Sequence, residues 1–187
     1  MQMKGEQLLP APPERVWDAL NDPEVIRDCV PGCESLERVS ETEFHALLLA
    51  AIGPVKAKFT GKLTLSDLDP PRSYRMSFEG SGGATGFAKG SAEVTLAPAE
   101  AGTRLCYAAS VQVGGKLAQV GSRLIDGVAA KIAGDFFARF RAHFAGTEPV
   151  EVAKPADAAA RGVPIARLAI AVAALLAIAV VAVLLLR

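Results

Sequence analysis

Nineteen consecutive residues near the end of the chain, Leu168 to Leu186, carry no polar side chain. A helix of that length spans roughly 28 Å, close to the hydrocarbon thickness of a bilayer. Twelve of the nineteen are Leu, Ile or Val, each favourable by roughly 0.3–0.6 kcal/mol on insertion. A buried core helix keeps a polar stripe where one face meets water, and this stretch has none on any face. Residues 164–187 therefore read as a single-pass transmembrane anchor. Arg161 and Arg167 lie before the span and Arg187 after it, a bias that leaves the preceding domain on the cytoplasmic side. Met1–Leu9 lacks the basic and apolar leader of an export signal. The expected location is the cell membrane, with the N-terminal domain in the cytoplasm.

Setting the anchor aside changes the charge balance. Arg167 and Arg187 belong to it, which leaves 18 of the 20 basic residues against 20 acidic ones. A near-neutral domain argues against nucleic acid, whose phosphates demand a basic stripe. Residues 1–146 suffice for one domain with one core. The stretch Thr147–Val163, rich in Ala, Pro and charge, reads as a flexible linker, with Pro149 and Pro155 opposing a continuous helix. Cys29, Cys33 and Cys106 are few and odd in number, as expected of free thiols in a reducing compartment.

Along the domain, a first strand is expected at Met3–Leu9, followed by breakers at Pro10, Pro12 and Pro13. A short helix follows at Glu14–Leu20, with Val16, Trp17 and Leu20 on one face. Asp22 is placed to cap a second short helix near Glu24–Asp28. From there, period-two segments dominate. Phe59, Gly61, Leu63 and Leu65 alternate with Thr60, Lys62 and Thr64. Tyr74, Met76 and Phe78 alternate with Arg75, Ser77 and Glu79. Leu105, Tyr107, Ala109, Val111 and Val113 alternate with Cys106, Ala108, Ser110 and Gln112. Each pattern turns one face inward, and Gly53-Pro54, Asp69-Pro70-Pro71 and Ala101-Gly102 punctuate them. The sum is a meandering antiparallel sheet of six or seven strands.

The period then switches. Between Gly115 and Ala145, Leu117, Val120, Leu124, Val128, Ile132, Phe136, Phe140 and Phe144 recur about every four residues, which predicts one long amphipathic helix. A sheet and a long helix make a two-layer α+β domain. Several inward positions are small, namely Ala57, Gly61, Ala88, Gly90, Ala92 and Ala109. They either leave room for a ligand between the layers or let the helix pack closely. Gly121, Gly127 and Gly134 each cost a helix about 1 kcal/mol relative to Ala. They read first as close-packing positions, with a lid-like bend as the alternative.

The residues offer little for catalysis. His45 and His143 are the only imidazoles, one in a predicted strand and one at the helix end, without HxxxH or HExxH spacing. No metal site is expected from them. Cys29 and Cys33 flank Pro31-Gly32 without a second pair, as thiols shaping a loop do. Gly80–Gly83 and Gly86–Gly90 read as hairpin and bulge residues, since they do not open a helix after a strand as a nucleotide loop would. Ser77, Ser91, Ser110 and Ser122 sit in no GxSxG string, and Asp126 and Asp135 are expected to face solvent. The chain is expected not to be an enzyme.

Several strings carry a resemblance. They are VWDALNDPEVIRDCVPGCESLE (Val16–Glu37), GPVKAKFTGKLTL (Gly53–Leu65), DPPRSY (Asp69–Tyr74), GFAKGSAEVTL (Gly86–Leu96) and VGGKLAQVGSRLIDGVAAKIAGDFFARF (Val113–Phe140). Their order resembles the START-like (SRPBCC) helix-grip superfamily and, within it, the G-subunit family of carbon monoxide dehydrogenase, over roughly residues 1–145. The resemblance implies a curved antiparallel sheet gripping the long C-terminal helix, with a deep apolar cavity between them. It also implies a partner, a molybdenum-containing carbon monoxide dehydrogenase or related hydroxylase, joined through this protein to the membrane and its quinone pool. The expected function is a membrane-anchored carrier for a lipophilic quinone, bound without covalent attachment. The expected lining is Phe59, Leu63, Tyr74, Met76, Phe78, Leu105, Tyr107, Leu124, Val128 and Phe136, with the phenols of Tyr74 and Tyr107 available to a quinone carbonyl. The alternative is an adaptor without a ligand that recruits the dehydrogenase, with Asp28–Ser35 as a contact surface. In the span, Ala169, Ala173 and Ala177 repeat every four residues, a face suited to helix pairing.

Overall fold

A computed structural model describes residues 2–52 and 55–145. The side chains of residues 50–52 and 55–57, of Val120 and of Leu124 are left out of the description, and the expected linker (147–163) and anchor (164–187) lie outside it. No helix among the described residues is long and apolar enough to cross a membrane.

The chain opens with strand β1 (Gln2–Leu9), whose outward Gln2, Lys4, Glu6 and Leu8 alternate with more buried positions. Pro12 then sits in extended conformation and Pro13 occupies the first turn of helix α1 (Pro13–Asn21), where a missing N–H costs nothing. The helix buries Val16, Trp17, Ala19 and Leu20 on one face. Asp22 ends it and starts α2 (Pro23–Cys29), its carboxylate accepting the Glu24 N–H at 2.9 Å. This is the cap expected from the Asn-Asp-Pro string.

Six further strands follow: β2 (Cys33–Arg38), β3 (Glu43–Ile52), β4 (Val55–Asp69), β5 (Ser73–Ser81), β6 (Phe87–Ala99) and β7 (Gly102–Gly114). They join β1 in one antiparallel sheet of order β1-β7-β6-β5-β4-β3-β2. The register slips between Ser66 and Asp69 in β4 and between Cys33 and Ser35 in β2. Such bulges bend and twist their strands. Glycine at position 102 is required by both backbone and space: its φ is +125°, and a Cβ there would stand 2.1 Å from the Leu9 carbonyl oxygen. The same corner is tied by the buried Thr103 hydroxyl, which donates to the Ala11 carbonyl at 2.6 Å.

The long helix begins later than its periodicity suggests. Residues Gly115–Val120 form a 3₁₀ segment, and only Ser122–Ala145 form the α-helix, α3. Leu117 is buried but belongs to the 3₁₀ segment. Gly115 and Gly121 have φ of +77° and +93°, left-handed values through which an α-helix cannot propagate. Gly127 and Gly134 do lie inside α3, but on its exposed side, where an added Cβ would meet nothing within 4 Å. Close packing therefore does not explain them.

Candidate functional site

The concave face of the sheet, covered by α1, α2 and α3, holds the apolar interior. Its cross-strand rows are lopsided. Phe44, Leu63 and Phe78 stand abreast on β3, β4 and β5, and Leu65 faces Met76 beside them. Continuing each row across β6 and β7, the residues shrink to Gly90 and Val111, and to Ala92 and Ala109. In these two rows bulk concentrates on β3–β5, and the room over Gly90, Ala92 and Ala109 admits side chains from elsewhere, whereas Val94, Leu96, Leu105 and Tyr107 fill the rows beside them. The Phe78 ring reaches across its partner, so that a Cβ on Gly90 would lie 2.6 Å from it. Helix α3 supplies the rest, a run of buried rings in which Phe136, Phe137, Phe140 and Phe144 are linked by centroid distances of 5.1 to 5.5 Å.

Of the expected lining residues, Phe59, Leu63, Tyr74, Met76, Phe78, Leu105, Val128 and Phe136 are buried members of this one cluster, and Tyr107 packs against it half-buried. The structure thus brings nine together in the interior; the side chain of Leu124 is outside the description. The two phenols differ sharply. Tyr74 is fully buried, its ring 5.5 Å from that of Trp17 in edge-to-face contact. Tyr107 stacks on Phe137 at 5.5 Å and lies over Gly5 of the edge strand, where a Cβ would stand 2.4 Å from its hydroxyl oxygen. That hydroxyl has no hydrogen-bond partner among the described residues. Desolvation pushes its pKa above the ordinary phenol value, so Tyr107 keeps its proton as a donor at neutral pH.

Sequence reasoning placed Trp17 on the buried face of α1 but not in the lining, and it missed Asn21, Gly5 and Phe137. Trp17 Nε1 and Asn21 Oδ1 are buried polar atoms without partners among the described residues, although the Asn21 amide itself donates to the Trp17 carbonyl one turn back. A donor and an acceptor left open in an apolar interior can serve a polar guest. The one signal in the sequence was the Trp–Asn spacing of four, which places both on the buried side of α1.

The remaining chemistry is spare. No cluster of three His, Cys, Asp or Glu side chains suited to a metal occurs among the described residues. His45 contacts Glu43 at 3.0 Å on β3, whereas His143 packs its ring against Phe144 at the end of α3. Burial pushes the thiols of Cys29 and Cys33 up to about 11, so both stay protonated, without the thiolate a nucleophile needs. Asp126 is exposed, and Asp135 pairs with Lys131 at 2.7 Å.

Open grooves run over the convex face instead. Along their floor lies a row of short polar side chains, Thr64, Ser77, Ser91 and Ser110, directly abreast on β4, β5, β6 and β7. Charged rows rise on either side, Lys62, Glu79 and Lys89 on one and Arg75 and Glu93 on the other. Such a wetted surface does not suit an apolar guest.

A family model for the G subunit of carbon monoxide dehydrogenase (CoxG) matches residues 5–145. The chain belongs to that family. Membership associates it with carbon monoxide dehydrogenase, in line with the resemblance read from its motifs. A conserved protein of Geobacillus kaustophilus shares 34% identity at a TM-score of 0.72, covering 78% of this chain and 95% of that one. A Thermus thermophilus protein, 18% identical with a TM-score of 0.59, covers 79% of this chain and 100% of its own. A Rhizobium leguminosarum protein at 15% identity and a TM-score of 0.60 covers 76% and 92%. At those lower identities the likeness is one of fold. No protein of curated function matches the chain. The curved seven-stranded sheet with its C-terminal helix is consistent with the helix-grip architecture.

Proposed function

We propose that this CoxG family member is a membrane-anchored, non-catalytic carrier of a lipophilic quinone, linking a carbon monoxide dehydrogenase to the membrane. The observation that carries the reading is the pairing of an apolar concave interior with a half-buried, protonated Tyr107 hydroxyl that no described residue engages. An isoprenoid tail gains roughly 0.8 kcal/mol for each methylene withdrawn from water, and the side chains over β6–β7 can admit it by parting. The quinone ring, held nearer the edge strand, takes a hydrogen bond from Tyr107 to one carbonyl. Trp17 Nε1 offers a second, deeper donor. The polar-free run Leu168–Leu186 would keep the domain at the bilayer that holds the cargo.

The test is organic extraction of the full chain, purified in detergent, followed by mass spectrometry and by titration with added quinone. Bound quinone is expected, and Tyr107→Phe should weaken binding about fivefold, the loss of one net hydrogen bond of about 1 kcal/mol. Finding no quinone and no binding of added quinone overturns the carrier. If such a protein still brings the dehydrogenase to membranes, the adaptor reading replaces it.

A further inference from the structure

Beside the α2–β2 turn at Pro31-Gly32, the strand order gathers three further connections at one end of the sheet. They are the β3–β4 hairpin, the β5–β6 loop with its 3₁₀ turn at Gly83–Thr85, and the passage from β7 through Gly115–Val120 into α3. Acids are sparse around them, with Glu34 at the start of β2 and Glu79 near the end of β5 the carboxylates on these arms. The sequence has no carboxylate between Glu43 and Asp67, between Glu79 and Glu93, or between Glu100 and Asp126. At the opposite end, by contrast, Glu41, Asp69 and Glu100 stand at the turns themselves.

The cations of this end outnumber its acids: Lys58 pairs with Glu34 at 3.0 Å, and Lys89 stands opposite Glu79 on the neighbouring strand. Lys89, Lys116 and Arg123 are exposed, and none has an ion-pair partner among the described residues. Lys62, level with Lys89, pairs with Glu43 at 2.9 Å, and farther from the loops Arg104 pairs with Glu6 at 3.4 Å and Lys131 with Asp135 at 2.7 Å. Beside the free cations stands Phe87, at the first position of β6, its ring lying over Gly114 and 43% exposed. An aromatic ring at a loop tip, accompanied by exposed Lys and Arg in excess over acids, matches what anionic lipid headgroups select.

We propose that this loop end, through Phe87, Lys89, Lys116 and Arg123, docks on an anionic phospholipid surface and turns the start of α3 toward the bilayer. Chain length permits it. Helix α3 has 24 residues, about 36 Å at 1.5 Å each, and ends away from the loops. The seventeen residues 147–163 extend to roughly 55 Å, enough to run back past the helix to a membrane on the loop side. The inference concerns the headgroup layer and does not depend on the quinone.

The experiment reconstitutes the full chain into nanodiscs of phosphatidylcholine alone or with phosphatidylglycerol and follows amide hydrogen exchange. Segments 82–90 and 114–123 should exchange more slowly in the anionic discs only. High salt, which shortens the screening length to about 3 Å at 1 M, should abolish that protection, as should the combined K89Q, K116Q and R123Q variant. Arg72→Gln, at the opposite end, should leave it intact. Equal exchange in both lipids, protection that survives the triple variant, or failure to associate with the anionic discs overturns the proposal. Protection that appears only on adding an acidic protein partner also overturns it and assigns the face to that partner.

Discussion

The two halves of α3 share one periodicity and one buried face, yet they are built differently. The C-terminal half buries Phe136, Phe137, Phe140 and Phe144, whose rings form a linked set of contacts, with Tyr107 stacked on Phe137. Arg139 and Arg141 pin the same half from outside, donating to the Asp28 carbonyl at 3.4 Å and to Gln7 Oε1 at 2.9 Å. The N-terminal half buries Ile125, Val128, Ala129 and Ile132, has Gly121 before it and carries Gly127 on its open side. Interlocked rings lose many contacts at once when displaced, whereas small aliphatic contacts are given up singly. Stability should sit in the aromatic half, and adjustment in the half beside the loops.

The largest expected effect tests that division directly. Phe140 has no exposed surface and lies between Phe136 and Phe144. Phe140→Ala should cost about 3–5 kcal/mol in denaturant unfolding. Val128→Ala, in the other half, should cost about 2 kcal/mol for two lost methylene equivalents. Equal losses would erase the distinction between the halves.

A smaller effect is expected where the aromatic half meets the edge strand. Tyr107 fits onto Phe137 because Gly5, its direct cross-strand partner, has no side chain. Gly5→Ala puts a Cβ 2.5 Å from the Tyr107 ring and must move it off the stack. The expected loss is about 1–3 kcal/mol, with a change in near-ultraviolet circular dichroism from the displaced phenol. An unchanged spectrum and unchanged stability would show that the ring has another resting place and that Phe137 does not fix it.

How much of this was legible in the sequence follows from which forces act locally. Strand alternation correctly sorted Leu63, Met76 and Leu105 inward, because burial on one face imposes period two on neighbouring residues. The Asp22 cap was legible because its partner, the Glu24 N–H, is two residues away. The start of α3 was not: a four-residue apolar spacing continues through the 3₁₀ segment, and the left-handed Gly121 that interrupts it looks like any helix glycine in sequence. The pairings of Phe78 with Gly90 and of Tyr107 with Gly5 depend on register between strands, which composition does not encode. Of the small inward residues read either as room for a ligand or as close-packing positions, Gly90 makes way for the Phe78 ring of the neighbouring strand. In the candidate site, the nine lining residues were readable as inward. The difference between Tyr74 and Tyr107 was not, since it comes from what α1 and the edge strand place beside each.

The smallest predicted effect bears on what the helix glycines do. Gly127 and Gly134 are exposed in α3 and would meet nothing within 4 Å on gaining a Cβ. Replacing either with Ala should raise stability by about 1 kcal/mol, the difference in helix propensity, and raise the melting temperature by a few degrees. Gly121 cannot be treated this way, because its φ of +93° would strain any side chain. The two variants should match in stability but separate in function if the N-terminal half is the adjustable one. Gly127→Ala stiffens the helix next to Val128, so exchange of the proposed quinone cargo should slow, while Gly134→Ala, closer to the phenylalanine stack, should leave exchange unchanged. Stopped-flow release of quinone from the detergent-purified full chain reads this difference. Equal slowing in both would make α3 one rigid body, and the contrast between its halves would then concern packing alone.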